Sequence, residues 1–173
     1  MIKYIGYIAA TLLLGACAGL PSAPTATAQL TPTKGNLASG TITFTQQGAA
    51  VLVSGEVRGL APSKEHGFHV HEKGDCSSGD GLSTGGHFNP TGKSHGAHDH
   101  DEHHAGDLVS LRADANGVAK FSYTSTTISV GSGPADVIGR GLIVHRDPDD
   151  FKTQPTGNSG PRIACAVIAK SNV

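Results

Sequence analysis

The feature that most constrains the fold of this chain is a long, histidine-rich segment with no regular secondary structure of its own. Nine of the ten histidines lie between His66 and His104. From residue 73 to residue 106 the sequence predicts neither strand nor helix, and connections in compact domains are rarely that long. Something other than a hydrophobic core must therefore hold this segment in place, and bonds to metal ions can do so.

Six side chains in and beside this segment have the types and spacing of metal ligands. They are His69, His71, His87, His95, His104 and Asp107. Imidazole nitrogen binds copper and zinc well, and one carboxylate can complete a tetrahedral zinc site. The pattern predicts a centre with two metal ions rather than a scatter of surface histidines.

The rest of the chain is typical of an all-β protein. Seven short segments alternate β-branched or apolar residues with polar ones, and Gly, Asn, Asp or Pro separates them. These predicted strands cover residues 41–45, 51–57, 67–71, 108–113, 118–124, 142–145 and 162–169. Asp-Ala-Asn-Gly at 114–117 predicts a hairpin turn, and no helical pattern competes. We therefore predict an antiparallel β-sandwich or closed barrel.

Strand periodicity sorts the histidines near residue 70. Alternate residues of a strand share a face, so His69 and His71 are predicted to project together and to bind one ion. His66 has the opposite parity, and we expect it to make a structural hydrogen bond instead. His145 ends the predicted strand 142–145 and is expected to bring a ligand from a neighbouring strand.

The first residues have the features of a targeting segment. Lys3 precedes an apolar run from residue 4 to residue 14, and Leu-Gly-Ala-Cys occupies 14–17. This tetrapeptide resembles the lipobox of bacterial lipoproteins, which predicts cleavage after residue 16 and a membrane contact only through lipid on Cys17. The alternative is an ordinary cleaved signal in which Cys17 is incidental. Both interpretations place the mature protein outside the cytoplasm, in the periplasm or cell envelope.

Three regions are predicted along the chain. Residues 1–16 are a lipoprotein signal peptide, residues 17–36 are the lipidated cysteine and a Pro/Thr/Ala-rich linker, and residues 37–173 are the folded domain. The linker is expected to be extended because it lacks hydrophobic periodicity. In an oxidising compartment, Cys76 and Cys165 are expected to form a disulfide.

The charge of the chain argues against nucleic acid as a partner. Its 13 basic and 14 acidic residues nearly balance, and residues 98–104 contain only acids and histidines. This is the wrong sign for binding a phosphate backbone. His98, His100 and His103 in this tract are left over once the six ligands are assigned. A solvated loop is the favoured interpretation of the tract, and capture of additional copper or zinc is the alternative.

Six motifs in order along the chain resemble those of the copper/zinc superoxide dismutases. The resemblance covers residues 37–168, and the spacing fits throughout. The motifs are GFHVHE at 67–72, GHFNP at 86–90, KSHG at 93–96, HAGDL at 104–108, GRGLIVH at 139–145 and GNSGPRIAC at 157–165. The resemblance implies a Greek-key β-sandwich or barrel of about eight antiparallel strands, with long metal-binding and active-site loops.

The resemblance also implies a division of the ligands between one copper and one zinc per subunit. Copper is expected to take four imidazoles, from His69, His71, His87 and His145. Zinc is expected to take a closed tetrahedral set, from His87, His95, His104 and Asp107. Because His87 belongs to both sets, its ring must bind as an imidazolate, which two cations can stabilise.

Further roles follow from the same resemblance. Superoxide anion is the implied substrate, with Arg162 docking it and His87 supplying a proton. Asp149 is implied as the carboxylate that hydrogen-bonds one copper and one zinc histidine. Residues 151–155 form a shorter segment than the charged channel loop of many relatives, which leaves Lys152 as the candidate for steering the anion.

The sequence allows alternatives for the assembly and for the function of the protein. A homodimer is one of the assemblies that the resemblance allows. A non-catalytic copper- or zinc-delivery lipoprotein on the same fold is the main rival function, although relatives of that kind typically lack a copper ligand or the arginine. A purely structural lipoprotein domain is a second rival, but it would have no need for two complete ligand sets.

Overall fold

The protein is described here by a computed structural model that covers residues 23–171. The predicted signal peptide and Cys17 lie outside the described residues. Within the described part of the chain, no helix is long and apolar enough to cross a membrane.

Nine strands and one short 3-10 turn make up the regular structure of residues 23–171. The 3-10 turn is Leu82–Thr84. The strands are β1 (Thr25–Pro32), β2 (Ser39–Gln47), β3 (Ala50–Arg58), β4 (Glu65–His66), β5 (Phe68–His71), β6 (Leu111–Arg112), β7 (Ala119–Ser125), β8 (Gly141–His145) and β9 (Arg162–Lys170).

Seven of these strands form one antiparallel sheet that curls around the core. The strand order is β5-β8-β9-β1-β2-β3-β7, while β4 and β6 form a separate small ladder. Phe68 on one edge strand and Phe121 on the other have ring centroids 5.6 Å apart, so apolar side chains join the two edges across the core. The late strand β9 returns beside β1, the relation typical of a Greek key. The predicted all-β sandwich or barrel is confirmed.

The first strand corrects the predicted boundary of the folded domain. Residues 18–35 were expected to be an extended linker, but β1 pairs with β2 on one side and β9 on the other. Ala26, Ala28 and Leu30 are fully buried or nearly so, and they alternate with more exposed residues. Threonine suits a pleated strand and alanine fits a tight core face, so this Thr/Ala-rich segment is part of the core.

The predicted strand 108–113 is much shorter than expected. Only Leu111–Arg112 forms a strand, and it pairs with Glu65–His66, which was not predicted as a separate strand. Asp107 instead makes an isolated bridge with His69, and the Leu108 amide donates to the Phe68 carbonyl over 3.3 Å. This part of the chain therefore serves to fasten the metal-binding loop to β5.

A disulfide ties the start of the long loop to the sheet. Cys76 and Cys165 are bonded, with their Cα atoms 6.0 Å apart, which confirms the predicted pair. Cys165 lies on β9 and is buried, whereas Cys76 lies in the loop that follows β5. The bond closes a sequence separation of 89 residues.

We expect Cys76→Ser to lower the free energy of unfolding by about 2–4 kcal/mol, because removing a cross-link over a long loop restores entropy to the unfolded chain. Urea unfolding of the metal-free protein measures this change. Adding a reductant should shift the wild-type transition by a similar amount and leave that of the variant where it is. Coincident transitions for oxidised wild type and variant would contradict the prediction.

Candidate metal centre

Seven buried side chains converge into two adjoining sets that could each hold a metal ion. In each set, one ligand atom per residue lies within 4.8 Å of all the others. The first set is His69, His71, His87 and His145, and the second is His87, His95, His104 and Asp107. The structure thus brings together every ligand predicted from the sequence, in the two predicted groups.

Strand β5 positions most of this centre. It supplies His69 and His71, and it pairs with β8, which ends at His145. Its other edge binds the loop: the Val70 amide donates to the Gly106 carbonyl (2.9 Å), and the Val70 carbonyl accepts from the Phe88 amide (2.8 Å). These bonds place His87 and Asp107, the neighbours of Phe88 and Gly106, beside the two β5 histidines.

Gly106 is required by this close approach of the loop to the strand. A Cβ atom at this position would overlap the Val70 carbonyl oxygen and lie 3.0 Å from the Phe88 amide nitrogen. Both obstacles are backbone atoms, which cannot move without breaking the bonds that hold the loop. A side chain here would therefore displace the loop and the ligands it carries.

The first set presents ring nitrogens that have no partner in the protein. His71 donates from Nδ1 to the Gly85 carbonyl (3.0 Å) and His145 donates from Nδ1 to the Gly160 carbonyl (3.1 Å), so the other ring nitrogen of each is free. Four buried ring nitrogens of this set have no hydrogen-bond partner: Nδ1 of His69 and Nε2 of His71, His87 and His145. Unpaired buried nitrogens cost about 1–3 kcal/mol each, so four of them in one place fit a bound cation.

The carboxylate of Asp107 organises the second set. Its Oδ1 lies 2.7 Å from His87 Nδ1 and 3.2 Å from His104 Nδ1, and its Oδ2 lies 3.0 Å from His95 Nδ1. Burial acts to raise the pKa of Asp107, but the three histidine contacts outweigh it and hold the pKa well below its usual range. Three nitrogens and one oxygen are a donor set typical of zinc.

The ring of His87 lies between the two sets. Its Nδ1 faces Asp107, whereas its Nε2 is buried without a hydrogen-bond partner on the side of the first set. Its centroid is 4.0 Å from that of His69 and 5.3 Å from that of His95. One ring therefore offers a different nitrogen to each set.

Asp149 forms hydrogen bonds with one histidine of each set. It accepts a hydrogen bond from His69 Nε2 (2.7 Å) through one oxygen and from His95 Nε2 (2.9 Å) through the other. These bonds direct Nδ1 of both rings towards the ligand positions. Gly157 leaves room for this carboxylate, because a Cβ atom there would overlap Asp149 Oδ1.

Burial and hydrogen bonding give the histidines of the two sets different pKa values, so their charges differ at neutral pH. Burial and nearby rings lower the pKa of His87 to about 4, and they hold the pKa values of His71 and His145 well below the usual value. His95 is different: burial alone would lower its pKa, but hydrogen bonds to Asp107 and Asp149 raise it to about 9. At neutral pH, His71, His87 and His145 are ready to bind a cation, whereas His95 must first lose a proton.

Arg162, at the start of β9, is held next to the first set. Its guanidinium donates from NH1 to the Gly81 carbonyl (2.6 Å) and to Thr84 Oγ1 (2.8 Å), and from NH2 to the Gly85 carbonyl (2.7 Å). The Gly85 carbonyl also accepts from His71 Nδ1, so a single oxygen joins Arg162 to a ligand of the first set. Arg162 is half-buried, and three of its five N–H donors are used.

His66 and Gln154 form hydrogen bonds with the backbone of metal-binding histidines; the sequence predicted the structural role of His66 but not that of Gln154. His66 donates from Nδ1 to the His145 carbonyl (2.9 Å) and joins neither set, which confirms the structural role predicted from its parity. The amide of Gln154 was not predicted: it accepts from the His95 backbone amide and donates to the His95 carbonyl, both over 2.9 Å. No local motif marks Gln154, because its partner lies 59 residues away.

Comparison with known proteins agrees with this geometry. The family model described as copper/zinc superoxide dismutase matches residues 38–168. A Cu-Zn superoxide dismutase of Paramecium bursaria Chlorella virus 1 is 43% identical over an alignment of 141 residues. The alignment covers 77% of this chain and 74% of the viral protein. This chain belongs to the copper/zinc superoxide dismutase family.

A solved structure has the same fold. The crystal structure of the clock protein EA4 is 43% identical and superposes with a TM-score of 0.78, over 87% of this chain and 97% of that one. As a copper/zinc superoxide dismutase, the protein is an enzyme that uses copper and zinc and acts on superoxide. The two buried ligand sets are the part of the described structure suited to those ions.

We expect Asp149→Asn to weaken zinc and copper binding by about 10–100-fold, the usual effect of removing a carboxylate that orients metal-binding histidines. Competition with a chelator measures both affinities. Asp147→Asn is the matched control, because Asp147 lies in the same loop but its exposed carboxylate pairs with Arg146. Equal losses in the two variants would contradict a specific role for Asp149.

We expect zinc binding to the metal-free protein to strengthen as pH rises towards 9. His95 keeps its proton up to a pKa of about 9, so zinc must displace that proton at lower pH, and the displacement becomes easier with each pH unit. NMR titration of the imidazole C–H signals tests the premise directly. If His95 of the metal-free protein titrated below its usual value of 6.5, the premise would be wrong.

Proposed function

We propose that this protein dismutates superoxide at a dinuclear centre in which the ring of His87 joins copper to zinc. The observation that carries the proposal is that His87 offers Nε2 to the all-histidine set and Nδ1 to the set that contains Asp107. When bound, copper supplies the change of oxidation state that converts one superoxide to dioxygen and the next to hydrogen peroxide.

The donor chemistry supports a specific assignment of the two ions. Four imidazole nitrogens, from His69, His71, His87 and His145, suit the tetragonal preference of Cu(II). The set of His87, His95, His104 and Asp107 has three nitrogens and one oxygen, which leaves a tetrahedral zinc no open position. We therefore assign catalysis to the first set and a structural and electrostatic role to the second.

His87 is proposed as the proton carrier as well as the bridge. Its Nε2 belongs to the first set and its Nδ1 lies 2.7 Å from Asp107 Oδ1. A ring anchored through Nδ1 would stay in place while Nε2 takes up or releases a proton. Peroxide formation consumes two protons, and we assign one to His87 Nε2 and the other to solvent.

Arg162 is proposed to dock the anion. Its three hydrogen bonds to residues 81–85 fix the guanidinium, and two N–H groups remain for a negatively charged substrate. Because Arg162 and His71 share the Gly85 carbonyl, the anion would be held beside a copper ligand. A preorganised cation of this kind attracts the substrate and also stabilises the charge that develops on reduction.

Two measurements on the metal-loaded protein test the proposal. Electron paramagnetic resonance should show Cu(II) bound by imidazole nitrogens, with a spectrum that changes when zinc alone is removed. Superoxide consumption should fall to background when copper is removed and return when it is restored. Metal binding without superoxide consumption would instead support a copper- or zinc-delivery protein on the same fold.

We expect Arg162→Ala to lower the rate constant for superoxide consumption by about 100-fold, the lower end of the range for removing one preorganised donor to a developing anion. Arg162→Lys should lose less, because it keeps the charge but not the fork of donors. Pulse radiolysis measures the rate constants. Arg112→Gln is the control, since Arg112 is exposed and pairs with Glu65. An unchanged rate constant in Arg162→Ala would contradict the proposal that Arg162 docks the anion.

We also propose that the enzyme acts in the cell envelope and is anchored by lipid on Cys17. The Leu-Gly-Ala-Cys sequence at 14–17 supports the anchor, and a disulfide between Cys76 and Cys165 is typical of exported proteins. Lipid labelling and membrane fractionation of wild type and Cys17→Ser test this. Equal partition of both proteins into the soluble fraction would exclude the anchor.

A further inference from the structure

Three histidines outside the two ligand sets lie in the tract 98–103, and the structure treats them differently. His100 is exposed, His98 is half-buried, and His103 has only 5% of its surface exposed. The favoured interpretation of this tract, a solvated loop, therefore holds for His100 and is wrong for His103. A buried imidazole in so polar a segment calls for a physical reason.

The hydrogen bonds of His98 and His103 are those of metal-binding histidines. His103 donates from Nδ1 to the His100 carbonyl (2.6 Å), and His98 donates from Nδ1 to the Asp107 carbonyl (3.0 Å). Each bond fixes the tautomer in which Nε2 carries the lone pair. His71 and His145 of the first set are held in the same way, through Nδ1 to a backbone carbonyl.

The free nitrogen of His103 is a second and independent indication. His103 Nε2 is buried and has no hydrogen-bond partner, a property it shares with Nε2 of His71, His87 and His145, and also with Nε2 of His66, which belongs to neither ligand set. His103 differs from His66 in having the ring of His98, another histidine outside the two sets, beside it. An unpaired buried nitrogen is costly unless an ion or another group binds it. No residue of the two ligand sets forms a hydrogen bond with His103 Nε2.

The spacing of the two rings matches that of ligand pairs within the centre. The centroids of His98 and His103 are 5.6 Å apart with an angle of 59° between the rings. The corresponding values for His95 and His104, two ligands of the second set, are 5.6 Å and 52°. Tyr123 packs edge-on against His98, with centroids 5.6 Å apart, and so restricts its ring.

We propose that His98 and His103 form a third metal site, which binds a divalent transition ion of the zinc or copper type through the two Nε2 atoms. The groove beside His98 has a volume of about 430 Å³, so water molecules have room to complete the coordination. No third protein ligand is preorganised there among residues 23–171, since the groups of three or more ligands are the two already described. Two protein nitrogens predict weaker, exchangeable binding than in either main set.

The test uses protein loaded with one copper and one zinc per chain, and then dialysed against increasing Zn²⁺. We expect wild type to bind one further equivalent, as measured by elemental analysis, and His98→Gln and His103→Gln to bind that equivalent at least ten times more weakly. Glutamine is uncharged and polar but lacks the lone-pair nitrogen that would bind the ion. His100→Gln is the matched control and should bind like wild type, because the His103 partner is the backbone carbonyl of His100.

A measurement on the unaltered protein keeps the test independent of folding and of the two main sites. Zn²⁺ should protect the half-buried His98, but not the exposed His100, from diethylpyrocarbonate, with the modified residues identified by mass spectrometry. The third site is overturned if wild type shows no such protection, or if all three variants lose the further equivalent equally. A failure of the proposed copper and zinc sets would appear separately, as fewer than two ions bound before Zn²⁺ is added.

Discussion

Buried imidazole nitrogens without partners in the protein are the constraint on which the active region depends. In the first set, four such nitrogens face one another, and in the second set the carboxylate of Asp107 gathers three rings. Desolvated groups of this kind are tolerated when a cation replaces the lost water. Metal binding is therefore part of what stabilises the loop between β5 and β6, together with loop side chains such as Phe88 and Leu108 that pack into the core.

The four-residue strand β5 links the metal-binding histidines to the rest of the fold. One face of β5 carries His69 and His71, while Phe68 and Val70 are fully buried in the core. One backbone edge of β5 pairs with β8 and the other holds the loop. Metal ligands and the hydrophobic core thus share the same backbone, so the centre is built on a rigid element.

The disulfide and Arg162 extend this rigidity to the substrate side. Cys76 attaches the loop to β9, and oxygen atoms in residues 81–85 of that loop accept hydrogen bonds from Arg162. β9 itself begins at Arg162 and contains Cys165. The anion-binding group is therefore held from two directions, by its own strand and by a loop cross-linked to that strand.

The predictable parts of the structure are those encoded by residue type and short-range spacing. Strand parity separated His69 and His71 from His66, and the donor types selected copper and zinc. β1 was missed because its core face is mostly alanine, so its alternation resembled a linker. Gln154 was missed because its partner, the backbone of His95, is far away in the sequence.

The sequence by itself determined which chemical groups are available, that His69 and His71 share a strand face, and which two cysteines pair. Only the tertiary structure decided which nitrogen of each ring is free, that one carbonyl serves both His71 and Arg162, and that His103 is buried while His100 is not. The physical reason is that side-chain type and strand parity are local properties. The direction of a hydrogen bond and the burial of a ring depend on contacts that form only when the sheet has closed and the loop has been fastened to β5.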